Sequence, residues 1–135
     1  MTSQAELVRQ AEGRAGQRCE YCRMHQALQG ATFHLEHILP SSRGGSTDLD
    51  NLAWACPGCN LHKSDRTEAL DPDTAVVVRL FNPRTDSWSE HFELQGYQIV
   101  GRTPVGRATV RLLGLNHPRR VLIRQAEEVF HLFPP

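Results

Sequence analysis

Two Cys-x-x-Cys pairs, Cys19/Cys22 and Cys56/Cys59, are the residues whose spacing points most directly to a chemistry. Each pair turns two thiolates to one side of a tight knuckle, and two knuckles complete a tetrahedral site of four sulfur ligands. The spacing therefore predicts a structural zinc ion, which would contribute about 10 kcal/mol of folding free energy at neutral pH. Between and just after the pairs stand Glu, His and Asn side chains, which are residue types that can hydrolyse phosphodiester bonds with a metal ion.

The alternatives for the cysteines are disulfide bonds, buried free thiols and a redox pair. Disulfides need an oxidising compartment, and residues 1–6 are mostly polar, without the apolar core of a secretory signal. A thioredoxin-like reaction needs one reactive pair, whereas this chain has two. We therefore favour structural zinc and expect a cytoplasmic protein.

Polar residues with fixed spacings fill the segment between the cysteine pairs and continue just beyond it. They are Glu36-His37-Ile38 with Pro40, Gly44-Gly45, Asn51-Leu52, Asn60 and Lys63. Together with the cysteines they resemble the motif of the HNH endonucleases, the ββα-metal nucleases, over about residues 19 to 66. The spacings of the histidine and the two asparagines look like those in the HNH lobe of RNA-guided CRISPR effectors. The resemblance implies two strands, a loop between them and a helix that packs across, held by the four-cysteine zinc site.

The local sequence predicts the same elements independently. Residues 31–38 are rich in β-branched and apolar side chains, as a strand should be, and Pro40 ends that run. Residues 41–46 have the composition of a loop, and residues 52–55 can form a short second strand. A helix is expected to begin near Cys56-Pro57.

That helix would carry the two polar residues that follow the last cysteine. Asn60 and Lys63 are three positions apart, so they share one helix face. We expect this face to look at the end of the first strand, where Glu36 and His37 lie.

Hydrolysis of a phosphodiester needs an attacking water, a base that deprotonates it and a cation that holds the developing charge. His37 is the candidate base, because histidine is the side chain that exchanges a proton near neutral pH. Glu36 and Asn60 offer oxygen ligands of the kind that Mg²⁺ or Mn²⁺ prefers. The resemblance implies that Asn51 fixes the loop and orients the base, and Lys63 is a candidate phosphate contact.

Several assignments around this motif have competing interpretations. Many family members carry Asp or His where this chain has Glu36, so the position or preference of the metal can differ. His34 is either an extra ligand or a strand residue, and His62 lies beside Asn60 on a different helix face. Arg43 in the loop is either a DNA contact or a solvated side chain.

Length and charge set the frame for the rest of the chain. At 135 residues we expect an α+β protein in one domain, with a nuclease core over 1–70 and an extension over 71–135. The formal net charge is zero, which at first argues against a nucleic-acid partner. However, residues 94–126 contain no Asp or Glu. The same stretch contains Arg102, Arg107, Arg111, Arg119, Arg120 and Arg124.

The extension has its own predicted elements. Residues 75–81 read as a strand, and residues 88–94 and 97–100 as a hairpin around Gln95-Gly96. Thr103-Pro104 predicts the start of a helix that ends at Gly114. A short helix is also expected at the N-terminus, over residues 4–15.

Arginines on the two C-terminal helices suggest a surface that guides DNA, since phosphates attract Arg regardless of sequence. Arg107 and Arg111 are four apart with no acid nearby in the sequence to pair them. The helix after Pro118 is expected to turn Leu122, Ala126 and Val129 inward. It would then present Arg120 and Arg124 to solvent. The alternative is a basic helix face that only aids solubility.

These observations favour a metal-dependent HNH endonuclease of a prokaryote or phage that acts on DNA. The family suggests products with 3′-hydroxyl and 5′-phosphate ends. One alternative is a zinc-stabilised DNA-binding module, inactive or part of a larger complex, and a weaker one is an interaction module without nucleic acid. The sequence predicts no membrane partner and does not fix the oligomeric state.

Overall fold

The computed structural model describes residues 2–135 and shows an α+β architecture. Within this range, five α-helices and three two-stranded antiparallel sheets follow one another along the chain. The helices are α1 (Gln4–Arg14), α2 (Pro57–Lys63), α3 (Trp88–His91), α4 (Pro104–Leu113) and α5 (Pro118–Val129). The strands are β1 (His34–His37), β2 (Leu52–Ala55), β3 (Glu68–Leu70), β4 (Val77–Arg79), β5 (Phe92–Gln95) and β6 (Gln98–Gly101).

Strands β1 and β2 and helix α2 form the expected ββα unit. β1 and β2 pair antiparallel with His37 opposite Leu52, so the two strand ends that flank the loop meet at one edge. β2 is buried along its whole length, and α2 follows it directly because the Cys56 side chain caps the first turn and Pro57 occupies the first helical position. The second strand and the helix start are confirmed, while the first strand is shorter than the predicted 31–38.

Helix α1 packs against β2. Ser3 and Glu6 form a reciprocal capping box at its start. Leu7 and Ala11 are its buried residues. At its C-terminal end Arg14 donates to the carbonyl of Leu52 at 2.7 Å, which fixes the helix to the second strand. The N-terminal helix is thus confirmed.

The β3–β4 hairpin crosses the predicted boundary near residue 70, and the sequence predicts only its second strand. β4 lies inside the expected strand over 75–81, but its partner β3 was missed. The second hairpin, β5–β6 around Gln95-Gly96, is confirmed, and Gly96 has a φ of 62° that suits a residue without a Cβ. Residues 88–91 form the single-turn helix α3 and not the start of that hairpin.

Helix α4 begins and ends as the sequence predicts. Thr103 accepts a hydrogen bond from the Gly106 amide at 3.0 Å, and Gly114 ends the helix in the left-handed conformation. Helix α4 contacts both α2 and β6, so it joins the extension to the ββα unit.

Helix α5 is oriented opposite to the prediction. Arg124 is 1% exposed and Arg120 is 7% exposed, whereas Leu122 and Val129 are 63% and 74% exposed. The physical reason is the supply of acceptors beneath the helix. Arg124 donates to the carbonyl oxygens of Leu115 at 2.5 Å and Tyr97 at 2.9 Å, and these hydrogen bonds offset part of the cost of burying the guanidinium.

One cluster of buried side chains contains residues from both parts of the chain. Tyr21 and Trp54 come from the first part, and Phe81, Phe92 and Leu113 come from the extension. Phe81 packs edge-on against Tyr21, with ring centroids 6.4 Å apart. The domain boundary near residue 70 remains a prediction. Among the described residues, no helix has the length and apolar character needed to cross a membrane.

Candidate active site and metal centre

The four cysteines lie together in the interior. All four are buried, and their sulfur atoms lie within 4.8 Å of one another. The Cys22 and Cys56 sulfurs are 3.7 Å apart, close to the separation of two thiolates that share one tetrahedral zinc, since Zn–S bonds are about 2.3 Å long. In each pair the second amide points at the first sulfur, at 3.5 Å in Cys19/Cys22 and 3.4 Å in Cys56/Cys59. The donor set and its arrangement fit zinc.

Helix α5 supplies a positive charge to the cluster of four cysteines. Arg120 donates to the Cys59 sulfur at 3.3 Å. A Cβ at Gly58 would lie 2.3 Å from Nη2 of Arg120, so the glycine leaves room for this guanidinium. Burial opposes the charge of Arg120, yet the surrounding sulfurs raise its pKa above the usual value. Burial raises the pKa of the Cys59 thiol, and the Arg120 guanidinium beside it favours the thiolate form.

An open cleft of about 300 Å³ lies at the end of β1, where the β1–β2 loop meets α2. Its polar lining includes Glu36, His37, Ser41, Asn60, Ser64 and Asp65. A larger cavity of about 460 Å³ contains Lys63 but neither His37 nor Asn60. We therefore identify the candidate active site by its chemistry and not by its size.

His37 closes β1 and is partly exposed to this cleft. Its Nε2 lies 3.0 Å from the Thr47 hydroxyl in the loop. This contact fixes the ring, and among residues 2–135 no protein group forms a hydrogen bond with Nδ1. Asn60, on α2, lines the same cleft. Among residues 2–135, no group forms a hydrogen bond with its side-chain amide.

Asn51 holds the loop that brings His37 into place. Its Oδ1 accepts from the Leu39 amide, and its Nδ2 donates to the Leu39 and Ser46 carbonyls, each at 2.9 Å. Gly45 is required at this point, because a Cβ there would lie 1.8 Å from the Leu39 oxygen. Asn51 thus contacts the backbone of the loop and lies outside the lining of the cleft.

Glu36 is more deeply buried than a metal ligand at an open cleft needs to be. It is 3% exposed, and its Oε1 accepts a hydrogen bond from the Tyr21 hydroxyl. Its Oε2 pairs with the Lys63 ammonium at 2.9 Å. Burial raises the pKa of Glu36, and the Lys63 charge offsets only part of that effect.

Lys63 is buried in this structure, and its expected contact with phosphate remains a prediction. The side chain is 2% exposed. Besides Glu36, its ammonium donates to the carbonyls of His37 at 3.2 Å and Ile38 at 3.0 Å. All three hydrogens of the ammonium are thereby engaged, so Lys63 is a buried tie between α2 and β1.

The expectation that Arg107 lacks an acidic partner is wrong. Asp71 is fully buried, and Arg107 binds it through Nε and Nη2, each at 2.9 Å. Asp73 adds a contact at 3.1 Å. This pairing lowers the pKa of Asp71 and leaves Arg107 little free charge for DNA.

The other arginine candidates remain on the surface. Arg111 is exposed and has no ion pair among residues 2–135. Arg43 is exposed and donates to the Thr67 hydroxyl at 2.8 Å. His34 and His62 are exposed too, and neither lines the cleft.

Sequence reasoning missed four residues of this site. Tyr21 and Thr47 contact Glu36 and His37, respectively, from distant positions in the chain, and no spacing rule connects them. Ser64 and Asp65 directly follow Lys63, so their position next to the motif is the signal that could have identified them.

The fold and site define a class: a ββα unit held by a buried four-cysteine metal centre, with a histidine and an asparagine facing one open cleft. Residues 19–66 match the family model described as HNH endonuclease. This match confirms the HNH resemblance and its fold for that segment.

The chain also matches part of a longer bacterial protein. The chain is 26% identical over 107 residues to the Septu protein PtuB of Bacillus thuringiensis, a match that covers 78% of this chain and 39% of that protein. The chain therefore spans well under half the length of that relative. No solved structure matches the chain.

Proposed function

We propose that this protein is a metal-dependent HNH endonuclease that hydrolyses DNA. The observation that carries the proposal is the convergence of His37 and Asn60 on one open cleft beside the four-cysteine centre. The HNH match of residues 19–66 supports nuclease chemistry. The choice of DNA and of 3′-hydroxyl and 5′-phosphate products follows the family.

In this proposal His37 removes a proton from the attacking water. We assign His37 the tautomer that carries its proton on Nε2 and donates it to the Thr47 hydroxyl 3.0 Å away. Nδ1 is then the basic nitrogen. Asn51 keeps the ring in place by pinning the loop backbone, so its role is positioning.

A divalent cation, Mg²⁺ or Mn²⁺, would stabilise the charge that develops on the phosphate and the leaving oxygen. The free amide oxygen of Asn60 and the cleft around it suit such a hard ion, which prefers oxygen ligands and water. Because Glu36 is buried, it could contact this cation only from the interior side of the cleft. The four cysteines would hold the structural zinc.

The second candidate is a DNA-binding module that acts as part of a larger protein or complex. The favouring observation is the limited coverage of the curated relative, whose length exceeds this chain. The bacterial relative also supports a prokaryotic protein, and we propose the cytoplasm as its location.

The test is cleavage of supercoiled plasmid by purified protein with its zinc content measured. EDTA, Mg²⁺ and Mn²⁺ are compared for the wild type and for Asn60→Ala. The proposal expects metal-dependent nicking or linearisation that Asn60→Ala abolishes, with 5′-phosphate ends accessible to ligase after nicking.

The opposite result separates the two candidates. A folded, zinc-loaded wild type that binds DNA but cuts no duplex, single-stranded or branched substrate would contradict the nuclease and favour the binding module.

A further inference from the structure

Glu36 is a weak candidate for the charged ligand of a catalytic cation. Its two oxygens face Tyr21 and Lys63, and its negative charge is already balanced by a buried ammonium 2.9 Å away. A divalent cation at the same carboxylate would be repelled by that ammonium, and little solvent is present to screen the two charges. The site therefore lacks a free negative ligand if Glu36 is the only acid.

A second carboxylate lies at the same cleft. Asp65 lines it together with His37 and Asn60, and its side chain is exposed. Within residues 2–135 no hydrogen bond or ion pair engages this carboxylate. Other acids are used differently: Asp71 and Glu36, for example, are committed to cationic partners.

The backbone between Lys63 and Asp65 is strained in a way that separates their directions. Ser64 has a φ of 51° and a ψ of −128°, a conformation that L-residues other than glycine rarely adopt. Its amide donates to the Asn60 carbonyl at 3.0 Å and closes α2. The turn at Ser64 lets Lys63 point into the interior while Asp65 borders the cleft. Strain of this kind concentrates at functional sites.

We propose that Asp65 supplies the negatively charged oxygen ligand of the catalytic cation, together with the Asn60 amide oxygen. The inference rests on the proposed function and names a further metal ligand for it. One carboxylate, one amide oxygen, waters and a substrate phosphate form a usual ligand set for Mg²⁺ or Mn²⁺. Glu36 then acts as a positioning residue that holds Lys63 and the end of β1.

The experiment measures Mn²⁺ binding without turnover. His37→Ala serves as the parent, bound to a short phosphorothioate duplex, and Mn²⁺ affinity is followed by electron paramagnetic resonance. Asp65→Asn is expected to weaken affinity at least about tenfold, with unchanged melting temperature and zinc content, because one charged ligand is lost. Asp65→Glu should recover part of the affinity. Glu90→Gln, an exposed acid on α3 away from the cleft, is the matched control and should bind like the parent.

Two results would overturn the inference, and they differ in meaning. Unchanged Mn²⁺ affinity in Asp65→Asn, with a loss in Glu36→Gln, would make Glu36 the ligand and leave the nuclease proposal intact. A parent that binds no Mn²⁺ at all, together with no metal-dependent cleavage by the wild type, would remove the metal site and the proposed function at once.

Discussion

Helix α2 separates two environments that differ in almost every physical respect. On one side Cys59 is fully buried and joins a dry cluster of four sulfurs. On the other side Asn60 borders an open polar cleft. Neighbouring residues of one short helix thus face a closed metal centre and an accessible site. The comparison teaches that the sulfur side can hold the fold while the cleft side stays free to react.

This division explains how so short a helix can position chemistry. α2 contains seven residues, and an isolated helix of that length is unstable in water. The cysteine centre fixes its start and the Lys63 contacts fix its end to β1. Changes on the sulfur side should therefore damage both environments, whereas changes on the cleft side should affect only the reaction.

The largest effect is expected from Cys59→Ser. Loss of one sulfur ligand should release the zinc, whose contribution of about 10 kcal/mol is comparable to the whole stability of a small domain. Zinc stoichiometry and far-UV circular dichroism provide the measurement, and chelation of the wild type should give the same loss. A Cys59→Ser protein that stays folded with an unchanged melting temperature would contradict the role of the metal.

Lys63→Met should have the next largest effect, because it leaves the buried Glu36 carboxylate without its partner. Breaking a buried ion pair from one side costs about 3–5 kcal/mol, measurable by urea denaturation. The double variant Lys63→Met with Glu36→Gln is the control and should recover part of the stability. If stability is unchanged and only the salt dependence of DNA binding falls, Lys63 is a phosphate contact after all.

Arg120→Met tests the sulfur side more gently. A hydrogen bond to a charged group is worth about 1.5–3 kcal/mol, so we expect faster zinc release to a chelator and a modest loss of stability. Arg119→Met is the matched control, since its side chain is exposed on the same helix. Equal zinc release from the two variants would show that Arg120 does not support the centre.

The smallest effect is expected at the surface arginines of α4. Arg111→Ala should reduce the slope of log affinity against log salt by about one, as for one lost phosphate contact. Arg107→Ala is the comparison: its partner Asp71 is buried, so this variant should lower the melting temperature and leave the salt slope nearly unchanged. The reverse pattern would restore Arg107 as the DNA contact.

The four-cysteine cluster, the ββα unit and the helix caps could be predicted because each depends on local spacing. The Cys-x-x-Cys knuckles, Pro57 after the capping Cys56, and Gly114 at a helix end act within a few residues. These signals do not depend on how distant parts of the chain pack.

The wrong predictions about charged residues share one cause, which is that burial of charge depends on partners far away in sequence. Apolar periodicity placed Arg124 outside, yet carbonyls of Leu115 and Tyr97 satisfy it inside. Helix spacing placed Lys63 on the right face, but could not show that Glu36 would take up its charge. Neither could the sequence show the link between Arg107 and Asp71.

The most direct test of the central claim is single-turnover plasmid cleavage by the wild type and His37→Ala, with zinc content and melting temperature measured for both. His37 lies on the cleft side, so its loss should leave the fold intact and lower the rate about 10²–10⁴-fold, the usual share of general-base catalysis. Equal metal-dependent rates for the two proteins would contradict the assignment of the cleft as the active site.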